Sequence, residues 1–150
     1  ASLFGGQSLA NAKLGAVHGF AGVLGGLYAK SPHGAICAAL LPHVFRANTD
    51  KLATLAQSGD SAAASGLARY DEVARIVTGD VGAKADDGAR WLQALVTDLQ
   101  VPGLKVLCDM KATDAEIAEI VTATEGASST KGNPVVLNAG ELETILRLAL

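Results

Sequence analysis

The segment LGAVHGFAGVLGGLYAKSPHGAICAALLPHVFRAN, residues 14–48, decides how this chain folds and where its chemistry lies. Its first sixteen residues contain five glycines, no charged side chain and one histidine, His18. Each glycine weakens a helix by about 1 kcal/mol relative to alanine, so a helix that only filled a core would use alanine or leucine. The glycines therefore indicate that another group approaches the backbone near the imidazole of His18.

Two helices and a loop are predicted in this region. Residues 8–28 form one long or broken buried helix, and residues 28–32 form the loop after it. Pro32 disfavours helical geometry at the residue before it but suits the first position of a new helix. This places His33 in the opening turn of a second helix that runs to about residue 45.

The second helix is apolar nearly all round, which predicts that it lies at the centre of the domain and is the most buried helix. Pro42 lies inside it and predicts a kink near residues 38–39. If Leu41 is buried there, Leu41→Ala costs about 2–5 kcal/mol of stability.

The rest of the chain also shows helical spacing. Helices are predicted around residues 52–56, 67–77, 91–99, 117–121 and 142–149, and a polar, mobile loop over residues 57–65. Thr113 with Glu116, and Asn138 with Glu141, have capping-box spacing. No segment alternates with period two. The fold prediction is therefore all-α, a single domain over residues 1–150 with six to eight helices in one layered bundle.

Composition restricts the class of protein. Of the 150 residues 49% are hydrophobic but only six are aromatic, which suits closely packed helices. The net charge of −3 gives no basic surface for nucleic acid. The uncharged run 14–29 is shorter than the roughly 20 residues that a membrane span needs. Cys37 and Cys108 lack CxxC spacing and are expected to be reduced thiols, so the chain is predicted to be soluble and cytoplasmic.

Imidazole nitrogens bind zinc and ferrous iron well, and His18 and His33 stand on either side of a predicted helix–loop–helix reversal. This arrangement can bring two rings to one point, although a lone histidine on an apolar helix is more often a core residue. His43 is nearly three turns beyond His33 and is expected to have a structural role or to support the site indirectly. Lys30 and Ser31 flank the loop, where a solvated lysine is the simpler interpretation. No phosphate-binding glycine motif is present.

Four motifs resemble the metal-binding segment of iron-containing alcohol dehydrogenases: HGFA at 18–21, LGG at 24–26, PHGA at 32–35 and LLPHV at 40–44. Near the other end, KGNP at 131–134 and NAGEL at 138–142 are similar to that family's closing loop and last helix, which favours a structural role for Asn133. The resemblance implies the helical C-terminal half of such an enzyme, in the dehydroquinate synthase-like fold. It also implies that the N-terminal nucleotide-binding domain is absent from this chain.

The resemblance assigns His18 and His33 to the family's third and fourth metal ligands, with an aspartate and a histidine supplied upstream. It implies Fe²⁺ or Zn²⁺, NAD or NADP bound mainly by the other domain, and interconversion of an alcohol and an aldehyde or ketone by hydride transfer. No catalytic residue is assigned within these 150 residues. Two departures stand out: Gly22 replaces a further histidine of many members, and the segment from Gly22 to His33 is one residue longer.

Two other functions stay open at this point. One is a non-catalytic helical assembly or regulatory domain that keeps the family fold, and the other is a maleylacetate reductase-like enzyme that can work without metal. With only two histidine ligands, the isolated 150 residues are expected to bind metal poorly and to lack dehydrogenase activity. The face with Gly15, His18, Gly22 and His33 is then open to solvent or covered by another copy of the chain in a homo-oligomer.

Overall fold

The computed structural model describes residues 2–150 and confirms the all-α prediction. Within that range there are eight α-helices, one short 3₁₀ turn and no strand. The α-helices are α1 (Ser2–Asn11), α2 (Ala16–Leu27), α3 (His33–Gln57), α4 (Ser61–Thr78), α5 (Ala85–Asp98), α6 (Leu104–Leu107), α7 (Asp114–Gly126) and α8 (Ala139–Leu148); the 3₁₀ turn is Thr130–Gly132. None of the helices in residues 2–150 is both long enough and apolar enough to span a membrane.

Helix α3 is the central element, as predicted, but it is twice as long as expected. The predicted helix ending near Phe45 and the predicted short helix after it are one continuous helix of 25 residues. Helical backbone continues on both sides of Pro42, because a proline removes only one hydrogen bond of the ladder. The kink at this proline stays a prediction. Helix α3 packs against α2, α4, α5, α6 and α8.

The main hydrophobic core joins α3 to α2, which precedes it, and to α6, α7 and α8 in the last third of the chain. Its largest fully buried side chains come from five helices: Phe20, Leu24, Ile36, Leu40, Leu104, Ile117, Ile120, Leu142, Ile145 and Leu146. No residue of α4 or α5 belongs to this cluster. These two helices contact only α3 and each other among the described helices, and they pack closely where Gly88 lies against Ala74 and Phe45.

The expectation of one long or broken buried helix over residues 8–28 is right about a break and wrong about the burial of its first part. Helix α1 ends at Asn11, residues 12–15 are not helical, and α2 begins at Ala16. Helix α1 is exposed along its described side chains and contacts no other described helix.

Two glycines at the start of α2, Gly15 and Gly19, are explained by packing of the backbone against the segment after α7. A Cβ at Gly19 would lie 1.9 Å from Thr130 Oγ1, and one at Gly15 would lie 3.0 Å from Asn133 Oδ1. By contrast, a Cβ at Gly22 would have nothing within 4 Å. The group that approaches the backbone near His18 is therefore the chain itself.

The placement of Leu41 in the core is also wrong. Its relative exposure is 39%, whereas Leu40 is 0% exposed. Consecutive residues of a helix point about 100° apart, so an apolar sequence does not tell which of two neighbouring leucines faces the core. The cost of about 2–5 kcal/mol for truncation to alanine belongs to Leu40.

Two further local predictions need correction. The mobile loop expected over residues 57–65 is only residues 58–60, because the Asp60 side chain accepts hydrogen bonds from the backbone N–H groups of Ala62 and Ala63 and starts α4 there. The capping box at Asn138 and Glu141 is present. At the start of α7, Thr113 caps the Glu116 N–H, but the Glu116 carboxylate accepts instead from the Ala112 N–H.

Candidate metal centre

His18 and His33 lie side by side at the start of two consecutive helices. His18 is in the first turn of α2 and is half-buried, and His33 is the first residue of α3 and is exposed. Their ring centroids are 5.6 Å apart, with an angle of 47° between the ring planes. The reversal between the two helices therefore brings the two predicted ligands to one point.

The turn between the helices is fixed at both ends by hydrogen bonds to the far end of the domain. The Tyr28 hydroxyl donates to Glu116 Oε1 at 2.5 Å, and Ser31 Oγ donates to the Leu107 carbonyl at 2.9 Å. The bond from Tyr28 holds the pKa of Glu116 below its usual range, and burial together with Glu116 raises the pKa of Tyr28. Ser31 thus has a structural contact, and Lys30 is exposed.

Cys37 is a third donor at this point, which the sequence analysis missed. It lies one helical turn after His33, and its Sγ is 3.5 Å from His33 Nε2. Single donor atoms of His18, His33 and Cys37 all lie within 4.8 Å of one another. The thiol is half-buried and unpaired, and burial raises its pKa. The H-x-x-x-C spacing was the available signal, because residues four apart share a helix face.

A cleft of about 370 Å³ opens beside His18 and Cys37. Its walls are mostly apolar and include Leu41, Val44 and Phe45 of α3, with His18 and Cys37 at one side. The exposure of Leu41 follows from its position on this wall. A small apolar cleft with a few polar groups is the usual form of a ligand site.

Asn133 ties together the elements around the cleft. Its Oδ1 accepts the Ala16 N–H at 3.1 Å, and its Nδ2 donates to Asn48 Oδ1 at 2.6 Å. Asn48 Nδ2 in turn donates to the Tyr70 hydroxyl at 3.0 Å, and the Tyr70 ring packs edge-on against Phe45. These contacts agree with the predicted structural role of Asn133, and they place Asn48 and Tyr70, which the sequence did not suggest, at the cleft.

His43 and Gly22 lie outside the cluster of three donors. His43 faces a different groove, between α3 and α8, which also holds Lys51 and Glu141. Burial lowers the pKa of His43. Gly22 is exposed. Of the four residues that were expected to form an open face (Gly15, His18, Gly22 and His33), Gly15 and His18 border the cleft.

The donor set fits a divalent transition metal. Two imidazoles and a thiolate are ligands of Zn²⁺, and imidazoles are also ligands of Fe²⁺. The side chains come from two rigid helices, and the exposed edge at His33 leaves room for further ligands from outside these residues.

Sequence comparisons agree with this interpretation. The family model described as "Fe-containing alcohol dehydrogenase family, C-terminal" matches residues 1–150. The 1,3-propanediol dehydrogenases of Citrobacter freundii and Klebsiella pneumoniae are each 51% identical over 61 residues, which is 38% of this chain and 16% of each relative.

Structure comparisons give the same fold. The iron-containing alcohol dehydrogenase from Thermococcus thioreducens matches with a TM-score of 0.65 and 26% identity, over 91% of this chain and 32% of that one. A 1,3-propanediol oxidoreductase matches with a TM-score of 0.67 and 26% identity, over 91% and 33%. The chain thus spans about a third of the length of these solved structures.

Proposed function

Because this chain belongs to the Fe-containing alcohol dehydrogenase family and corresponds to its C-terminal part, we propose that it is the metal-binding helical portion of an NAD(P)-dependent oxidoreductase. The complete enzyme interconverts an alcohol and an aldehyde or ketone. The observation that carries the proposal is the convergence of His18 and His33, whose ring centroids are 5.6 Å apart beside an apolar cleft.

The residues of this chain hold the metal and shape the substrate's surroundings. His18 and His33 supply two neutral nitrogen donors, and an aspartate and a histidine upstream complete the set. When bound, a divalent metal supplies Lewis acidity at the substrate oxygen, while NAD or NADP, held mainly by the other domain, accepts or donates hydride. Leu41 and Val44 on the cleft wall keep water from the apolar side of the substrate.

The remaining functional expectations belong to the same proposal. The partner is a small alcohol or aldehyde, with neither nucleic acid nor a membrane involved, and the enzyme acts in the cytoplasm, which suits its two free thiols. The apolar cleft is covered in the complete protein by the nucleotide-binding domain, or by another copy of the chain in a homo-oligomer. Given the relatives' names, 1,3-propanediol is the first substrate to test.

The test is made on the complete protein that contains this chain. We expect bound iron or zinc near one equivalent, and reduction of NAD⁺ or NADP⁺ in the presence of 1,3-propanediol or other small primary alcohols. The double variant His18→Ala, His33→Ala is expected to lose both the metal and the turnover, because it removes half of the nitrogen and oxygen donors.

His43→Ala is the matched control, since His43 lies outside the donor cluster, and it is expected to keep the metal. Turnover that survives complete chelation would instead identify a metal-independent reductase. A folded complete protein with neither metal nor turnover would support a non-catalytic domain. The 150 residues alone are expected to show no turnover, since hydride transfer needs the nicotinamide site.

A further inference from the structure

We propose that Cys37 is a metal ligand, so that this chain alone supplies three protein donors: His18, His33 and Cys37. The inference rests on the metal site of the proposed function and extends it. The family resemblance accounts for the two histidines and assigns nothing to Cys37. The evidence for the thiol is its position in this structure.

The first argument is distance. A tetrahedral metal with Zn–N bonds of about 2.0–2.1 Å and a Zn–S bond of about 2.3 Å places its nitrogen and sulfur donors about 3.6 Å apart. Cys37 Sγ and His33 Nε2 are 3.5 Å apart. This distance, at which the thiol and the imidazole hydrogen-bond, also matches the spacing of two ligands on one metal ion. One donor atom of each of the three residues lies within 4.8 Å of the other two, so small side-chain movements bring all three within bonding distance of one ion.

The second argument is direction. The buried side of α3 is formed by Ile36, Ala39 and Leu40, whereas Cys37 borders the cleft beside His18. Cys37 also packs against the edge of the main core, and both it and Cys108 are free thiols. A thiol on the cleft wall at one turn from His33 is placed to bind the same metal ion as that histidine.

The chemistry of the three donors follows from their positions. Coordination replaces the thiol proton, which is released to solvent, and adds one negative charge to a site otherwise made of two neutral imidazoles. Thiolate is one of the ligands that select zinc, and sites of nitrogen, oxygen and sulfur donors in general bind Zn²⁺ more tightly than Fe²⁺. The site is therefore expected to prefer Zn²⁺ to Fe²⁺. With three donors, the purified chain also binds metal more tightly than its two histidines predict.

The test uses Co²⁺ as a spectroscopic probe of the reduced, purified chain. A cobalt–thiolate bond gives a sulfur-to-metal charge-transfer band in the near ultraviolet, which histidine ligands do not give. We expect this band in the wild type and in Cys108→Ala, and its loss in Cys37→Ser. Affinity for Co²⁺ and Zn²⁺ is expected to fall by at least about 10- to 100-fold in Cys37→Ser, the cost that loss of even an indirect metal contact brings.

Cys37→His distinguishes loss of a donor from damage to the fold. It keeps a donor four residues after His33, so it is expected to restore much of the affinity without the charge-transfer band. Far-ultraviolet circular dichroism of each variant checks that the helices are intact.

Three outcomes would overturn the inference. Cobalt binding without the band in the wild type, or a band that persists in Cys37→Ser, would show that sulfur from Cys37 is not a ligand; the metal site of the proposed function would still stand. If the folded wild-type chain binds no cobalt, the three donors do not form a site by themselves. Metal content of the complete protein then tests the proposed function separately.

Discussion

Gly19 and Gly22 are three residues apart on α2 and have opposite surroundings. The Gly19 backbone touches Thr130, whose hydroxyl is held by a 2.6 Å hydrogen bond to the Thr124 carbonyl and cannot turn away freely. Gly22 faces open space. Packing against Thr130 leaves no room for a side chain at Gly19. At Gly22 there is room for one, and the glycine only lowers the stability of the helix.

Gly19→Ala is therefore expected to lower the free energy of unfolding by about 1–3 kcal/mol, the usual cost of overpacking. Gly22→Ala is the matched control and is expected to raise it by up to about 1 kcal/mol, because alanine is the better helix former. Urea unfolding of both variants at equal m-values measures the difference. Equal stabilities would mean that α2 does not pack on the 3₁₀ turn as described.

Histidines at residues 18 and 33 could be placed near each other from the sequence because Pro32 marks the start of the second helix. The position of Cys37 one turn after His33 could also be found in the sequence, but a cysteine among apolar residues is more often an inert buried thiol, so its role as a donor is evident only from its place in the fold. Leu41 illustrates the same difficulty. The sequence of a helix that is apolar all round does not show which of its residues face the core and which line a cleft.

At the scale of elements, helix starts are tied to side-chain hydrogen bonds, and Glu116 is the clearest case. Its carboxylate accepts from the Ala112 N–H at 2.6 Å and from the Tyr28 hydroxyl, so it connects the start of α7 with the end of α2. Ala112 has a φ of 57°, an unfavourable value for a residue with a side chain. The bond to Glu116 helps to hold it there.

Tyr28→Phe is expected to destabilise the protein by about 0.5–1.5 kcal/mol near neutral pH, toward the lower end because the pair is partly exposed. The pKa of Glu116 is lower in the folded than in the unfolded chain. The contribution of the Glu116 carboxylate to the free energy of unfolding is therefore complete above its pKa in the unfolded chain, about 4.3, and is lost as the pH falls through its pKa in the folded chain. The difference in free energy of unfolding between the wild type and Tyr28→Phe should become smaller in acid.

Tyr70→Phe is the control, since the Tyr70 hydroxyl accepts from Asn48 and contacts no carboxylate. Its effect on the free energy of unfolding is expected to be the same at about pH 7 and about pH 3, where Asn48 and Tyr70 keep the same charge. Unfolding by urea across this range measures both variants. A Tyr28→Phe effect that does not change with pH would contradict the role given to Glu116.

Local sequence predicted some helix ends and missed others. The end of α4 at Thr78, followed by Gly79 with a φ of 72°, agrees with the helix predicted around residues 67–77, and Asn138 begins α8 with its capping box. The errors arose where tertiary contacts override local signals. The Glu116 carboxylate accepts hydrogen bonds from the Tyr28 hydroxyl and the Ala112 N–H, instead of closing a capping box with the N–H of Thr113. Helix α3 continues past Asn48 because the Asn48 side chain forms hydrogen bonds with Tyr70 and Asn133.

At the scale of the whole molecule, α3 divides the packing into two parts. Its first half joins α2, α6, α7 and α8 in the main core, and α4 and α5 are attached to it around Phe45 and Leu52. The cleft lies between these parts, with His18 from one and Tyr70 from the other. The sequence predicted the helices but not this division, which depends on which apolar faces meet.

The attachment of α4 and α5 to α3 alone implies that the pair is a separate cooperative unit. Regions with few buried apolar contacts open at a smaller free-energy cost than the core does. Amide hydrogens within α4 and α5 should therefore exchange with deuterium before those of α2 and α7, at a denaturant concentration too low for global unfolding. Each such opening carries Tyr70 away from Phe45 and widens the cleft. Native-state exchange that gives α5 and α7 the same protection would show instead that the domain opens only as a whole.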